Sequence, residues 1–73
     1  SQQHVELLTR RNEMVAAAYE AYYALRGLKP MDPERCVHYQ ELIGAEETAH
    51  REFVMADLAA FKRLIDAACK EKE

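Results

Sequence analysis

The stretch IGAEETAHREFVMADLAAF, residues 43–61, sets charged groups among large apolar side chains in a helical pattern. At the three-to-four-residue spacing of one helix face, it would present Ile43, Glu47, His50, Val54, Asp57 and Phe61. A face with such apolar residues is normally buried. Burying a carboxylate and an imidazole is costly unless they are paired or bind a metal. The stretch therefore predicts a buried helix with a polar site on its inner face.

The first predicted helix precedes this stretch and covers about residues 4–28 of a chain that we treat as one domain, residues 1–73. Its large apolar side chains recur every three or four residues and define the face expected to pack inward. These side chains are Val5, Leu8, Val15, Tyr19 and Tyr22. Gly27 is typical of a helix C-terminal end.

The second predicted helix begins at Pro33 and runs without a break to about residue 70. Asp32 followed by Pro33 is a start signal, because aspartate caps helix N-termini and proline suits the first helical position. Residues 29–32 form the turn between the helices. The pattern predicts an all-α fold, a two-helix antiparallel hairpin with a long second helix.

The second predicted helix is longer than the first by roughly four turns. Its last apolar side chains then lack a partner within the hairpin, and these are Phe61, Leu64, Ile65 and Ala68. A lone hairpin also exposes one face of each helix. We therefore expect a homodimer that forms a four-helix bundle, or a higher homo-oligomer.

The composition of the chain limits which binding partners and which cellular compartment we expect. The chain has ten basic and thirteen acidic residues, with a net charge of -3. The sequence has no cluster of basic residues of the kind that binds nucleic acid. It also has no apolar run long enough to span a membrane. Cys36 and Cys69 lack the C-x-x-C spacing of zinc or redox motifs. We expect both to be free, buried thiols in a reducing cytosol, and the protein to be cytoplasmic.

The motif that most clearly suggests a functional site is E-x-x-H, formed by Glu47 and His50. A glutamate and a histidine three residues apart on a helix can bind one cation together. Residues at equal height in the hairpin should have numbers summing to roughly 60, which puts Glu13 level with Glu47. Two such hairpins would supply a dinuclear site. The alternative is that Glu47 and His50 form ion pairs with Arg10 or Arg51.

Four further side chains are candidates for accessory roles at a metal site. Glu20 shares a stripe with Glu13, and Glu46 is expected at the helix surface or on a metal entry path. His4 lies level with Asp57 in the hairpin register, so that the two could form a secondary metal site or an ion pair.

The combination of Glu13, Tyr19 and the E-E-T-A-H element at 46–50 resembles one half of a rubrerythrin or ferritin-like domain. The short two-helix form resembles the encapsulated ferritins still more. The resemblance implies a di-iron cofactor bound between two chains, and ferroxidase activity that oxidises Fe(II) to Fe(III). It gives metal-ligand and catalytic roles to Glu13, Glu47 and His50. It also implies a shell protein as a partner and residence in a protein nanocompartment.

Two other readings remain open at this point. Carboxylate and imidazole ligands also suit manganese and zinc, so the metal is not fixed by the ligand types. The chain could instead be a non-enzymatic helical-hairpin module for dimerisation or interaction with a larger protein, or a small subunit that delivers a metal to a partner.

Overall fold

A computed structural model describes residues 1–49 and 58–70, which form three α-helices. α1 spans Gln2–Leu25, α2 spans Pro33–Ala49 and α3 spans Leu58–Lys70. The described residues contain no β-strand. The prediction of an all-helical chain is therefore confirmed.

The prediction of one continuous helix over residues 33–70 is wrong. Such a helix would hold the Cα atoms of Cys36 and Cys69 about 50 Å apart, at 1.5 Å per residue. Those Cα atoms are only 5.8 Å apart. α3 runs antiparallel to α2 and packs against both α1 and α2. The physical reason is burial, because α3 removes its own apolar face from water by returning along the other two helices.

The turn between α1 and α2 follows the local signals in the sequence. Gly27 has a φ of 75°, and the Leu28 N–H donates to the Tyr23 carbonyl oxygen at 2.9 Å, as in a Schellman motif. The Asp32 Oδ1 accepts from the Glu34 N–H at 2.9 Å and caps α2. The chain therefore reverses direction through an ordered turn.

Two glycine substitutions should change stability in opposite directions. Gly27→Ala should lower the free energy of unfolding by about 1 kcal/mol, because alanine resists a positive φ. Gly44→Ala should raise it by about 0.5–1 kcal/mol, because Gly44 lies inside α2 and an added Cβ meets nothing within 4 Å. Urea titration of both variants measures the two changes. Equal shifts in the same direction would contradict this account of the turn.

The side chains that α1 buries in the core are mostly small. α1 contributes one methionine and three alanines to it, so the other two helices can approach α1 closely. The buried apolar residues are Met14, Ala17, Ala21, Ala24, Met31, Cys36, Tyr39, Ile43, Phe61, Ile65 and Ala68. Phe61, Ile65 and Ala68 thus find partners within their own chain. The argument that their burial requires a second copy is wrong.

The predicted inward face of α1 points outward. Val5, Leu8, Val15, Tyr19 and Tyr22 are all exposed, and Tyr19 is 61% exposed. The alanines take the inward positions because their size suits close helix packing, whereas tyrosines there would separate the helices. Of the four tyrosines, only Tyr39 is buried.

Candidate functional site

The structure places Glu13 and Glu47 at different helix interfaces. Glu13 Oε2 lies within hydrogen-bonding distance of His38 Nε2, between α1 and α2. Glu47 Oε1 lies 3.7 Å from Lys62 Nζ, between α2 and α3. Within one chain each of these glutamates thus has a protein partner of its own. His50 and Asp57 lie outside the described residues, so their proposed roles stay predictions.

Glu46 and Glu47 have exchanged the environments predicted for them. Glu46 is the interior carboxylate, 1% exposed, and its Oε1 lies 2.9 Å from Arg10 Nε. Glu47 is exposed. The prediction of a buried Glu47 is wrong for a single chain. Glu46 continues the inward face of Tyr39 and Ile43 at helical spacing, and Glu47 lies to one side of that face. Glu46 is therefore the carboxylate that Arg10 meets.

Two of the residues predicted as accessory metal ligands, Glu20 and His4, also lie within the described residues. The Tyr39 hydroxyl donates to Glu20 Oε2, and Arg35 Nη2 lies 3.3 Å from the same oxygen. Burial raises the pKa of Tyr39 and the hydrogen bond to Glu20 raises it further, while Arg35 lowers it. His4 is exposed, and its backbone N–H donates to Ser1 Oγ at 3.2 Å.

The described side chains as a whole show no cluster of metal ligands. Within residues 1–49 and 58–70, no group of three or more histidines, cysteines, aspartates and glutamates is arranged to hold a metal ion. Iron, manganese and zinc as cofactors therefore stay predictions, as do the ligand roles of Glu13, Glu47 and His50.

An apolar groove lies between α1 and α3, and we name it the tyrosine groove. Its volume is about 490 Å³. It is lined by Val15, Ala18, Tyr19, Tyr22, Tyr23 and Leu64. The ring centroids of Tyr22 and Tyr23 are 5.8 Å apart, and those of Tyr19 and Tyr23 are 6.5 Å apart. The rings therefore form one contiguous aromatic surface.

The tyrosine groove exists because α1 is apolar on two nearly opposite sides. At about 100° per residue, the centre of the inward stripe of Met14, Ala17, Ala21 and Ala24 lies about 150° from that of the outward stripe. The outward stripe consists of Leu8, Val15, Tyr19 and Tyr22. α2 and α3 cover only the inward stripe. Sequence reasoning found the outward stripe but assigned it to the core, and missed the alanine pattern that marks the true interior.

The outward stripe is flanked by positive charge. Arg11 and Arg26 project from the same side of α1, by the same helical angles. The Arg26 guanidinium carbon lies 5.2 Å from the centroid of the Tyr22 ring, a cation–π contact. Glu13 and Glu20 lie on the α2 side of α1, where they pair with α2.

The two cysteines form a disulfide, so the prediction of free thiols is wrong. Cys36 in the first turns of α2 is bonded to Cys69 in the last turn of α3. The sequence lacked a signal for this pairing because 33 residues separate the two cysteines. The pairing follows from the return of α3 along α2. The cytoplasmic location, which rested on free thiols, stays a prediction.

Comparison with known proteins adds no assignment. No family model, curated protein or solved structure matches this chain. In the described part of the chain, no helix combines the length and apolar character needed to cross a bilayer. The resemblance to ferritin-like domains therefore stays an expectation from the motif.

Proposed function

We propose that this chain is a non-enzymatic helical interaction module that works as a two-fold dimer through the tyrosine groove. The observation that carries the proposal is the outward apolar stripe of α1, which the other described helices leave uncovered. A helix that is apolar on two opposite sides needs a partner on each. The chain supplies one partner surface, α2 with α3, and a second copy would supply the other.

The size of the exposed surface supports this reading. Taking about 200 Å² for a whole tyrosine side chain, the exposed fractions of Tyr19, Tyr22 and Tyr23 amount to about 300 Å². Leu8 and Val15 extend the same patch. Contiguous apolar patches of about 300–600 Å² on soluble proteins are often functional. Tyrosine is also favoured at interface centres, since its ring is apolar while its hydroxyl tolerates water.

Charge selects one orientation for the two α1 helices. In an antiparallel pair centred on Val15, Arg11 lies level with the partner's Tyr19, and Tyr22 lies level with the partner's Leu8. Arginine can then stack on tyrosine, and apolar groups meet apolar groups. A parallel pair would set Arg11 against the partner's Arg11, which is repulsive. We therefore expect the antiparallel arrangement.

Introducing charge into the tyrosine groove should dissociate the dimer. The double variant Val15→Glu/Tyr19→Glu would force carboxylates into an apolar interface. It should raise the dimer dissociation constant at least about thirtyfold, equivalent to about 2 kcal/mol. Sedimentation equilibrium would follow the mass as it falls toward the 8.4 kDa of one chain.

Val37→Glu is the matched control for this experiment. Val37 is an exposed apolar residue on α2, 56% exposed, and it is not part of the groove. The control variant should dimerise like the parent chain. A parent chain that remains monomeric at millimolar concentration would refute the proposed function, as would equal dissociation in both variants.

A photo-crosslinker at position 22 tests the orientation separately. Benzoylphenylalanine in place of Tyr22 should label the partner near Leu8, within the tryptic peptide 1–10. A parallel dimer would instead give a label near the partner's Tyr22, within the peptide 12–26.

The ferroxidase hypothesis carries over from the sequence without new support. Among the described candidate residues, Glu13 and Glu47 have separate protein partners. Iron uptake remains its direct test, with Glu47→Ala as the informative variant. Undiminished stoichiometric iron binding in that variant would remove the ligand role of Glu47.

A further inference from the structure

A second groove, between α2 and α3, gives access to the disulfide. We name it the disulfide groove; its volume is about 490 Å³. It is lined by Gln40, Arg63, Asp66, Ala67, Cys69 and Lys70. Cys69 is partly exposed there, whereas Cys36 is only 7% exposed and does not line the groove. A small molecule entering the groove therefore lies against Cys69 and not against Cys36.

The two sulfurs also differ in their positions on the helices. Cys36 lies at the beginning of α2, where its N–H donates to the Asp32 carbonyl oxygen at 3.0 Å. The positive end of a helix dipole stabilises a thiolate. Cys69 lies in the last turn of α3, where the dipole disfavours a thiolate. The helix dipoles therefore favour Cys36 over Cys69 as the leaving group.

The charges that line the disulfide groove favour the binding of an anionic ligand. Arg63 and Lys70 contribute two positive charges to its lining. The single carboxylate in the lining, on Asp66, accepts a hydrogen bond from Gln40 Nε2 through its Oδ1 at 3.3 Å. The remaining positive charge would attract a thiol that carries carboxylates, and less so a neutral thiol.

We propose that the disulfide is a thiol-exchange site with a fixed direction, in which a small anionic thiol of the glutathione class attacks Cys69. The incoming thiolate forms a new S–S bond to Cys69 Sγ as the bond to Cys36 Sγ breaks. The electron pair of the broken bond leaves on Cys36 as a thiolate, so the incoming sulfur is oxidised and Cys36 is reduced. The products are a mixed disulfide on Cys69 and a free Cys36.

Peptide mapping of the first exchange product tests the direction. The oxidised chain would be mixed with reduced glutathione, quenched early with iodoacetamide and digested with trypsin. Cys36 and Cys69 fall in different peptides, 36–51 and 64–70. We expect glutathione on the 64–70 peptide and the alkyl group on the 36–51 peptide, with at least about a tenfold preference. An even distribution, or a preference for Cys36, would overturn the proposal.

A charge-swap variant tests the recognition of the thiol. Arg63→Glu/Lys70→Glu should slow exchange with glutathione about tenfold, because both swaps repel its carboxylates. Exchange with 2-mercaptoethanol, which has no charge besides its thiolate, should slow much less. Circular dichroism would verify that the variant is folded. An equal effect on both thiols, or exchange rates that follow global unfolding in urea, would overturn the proposal.

Discussion

Reducing the Cys36–Cys69 disulfide is expected to lower the free energy of unfolding by about 3.7 kcal/mol. The estimate is the loop-closure entropy that the unfolded chain regains when a cross-link across 33 residues is lost. A chain of 73 residues typically has only about 4–11 kcal/mol in total. The reduced protein should therefore be close to the limit of stability. Urea unfolding in the presence and absence of a phosphine reductant measures the difference.

A variant that lacks both sulfurs distinguishes the effect of losing the cross-link from any other effect of the reductant on the protein. Cys36→Ala/Cys69→Ala should lose about the same 3–4 kcal/mol as the reduced parent chain, with no further change on adding reductant. A loss below about 1 kcal/mol in the reduced parent chain would contradict the expectation. It would mean that the packing of α3 holds the helices together without the covalent bond.

Arg10→Met is expected to destabilise the fold by about 1–3 kcal/mol. Arg10 Nε lies 2.9 Å from Glu46 Oε1, and Glu46 is almost completely buried between the helices. Methionine would keep much of the apolar contact that arginine makes but would remove the charge opposite Glu46. Removing one member of a buried ion pair takes away part of the compensation for the other charge, so the loss should exceed that of an exposed pair. Urea titration at neutral pH measures it.

Glu47→Gln is the matched control, since Glu47 is the adjacent residue and also forms an ion pair. Its carboxylate lies 3.7 Å from Lys62 Nζ, and both side chains are exposed to water. Exposed pairs contribute about 0–1 kcal/mol, so this variant should unfold almost like the parent chain. Equal losses from Arg10→Met and Glu47→Gln would show that the interior position of Glu46 is not what makes its ion pair important.

The turn was predictable because its determinants are local. Gly27, Asp32 and Pro33 act on backbone torsions and hydrogen bonds within a few residues of themselves. Their effect does not depend on how the rest of the chain packs. The end of α2 was not predictable in this way, since no glycine or proline lies between Ala45 and Leu58. A continuous helix was therefore compatible with every local signal.

The inward face of α1 was mispredicted because residue size was used as the guide to burial. Tyr19 and Tyr22 are larger than Ala17 and Ala21, yet the alanines are buried. Which stripe packs inward depends on how closely three helices can approach, and that is a property of the whole fold. The Glu46–Glu47 exchange has the same origin, because the packing of the three helices sets which side of α2 faces inward toward Arg10.

The bond between Cys36 and Cys69 also closes part of the backbone into a covalent ring. A protease that cuts one peptide bond inside this ring opens it without releasing a fragment, because the disulfide still holds both pieces. A cut in the turn around Gly27 lies outside the ring and would separate α1 from the rest of the chain. Limited digestion under oxidising and reducing conditions would therefore give different fragment masses from identical cleavage sites.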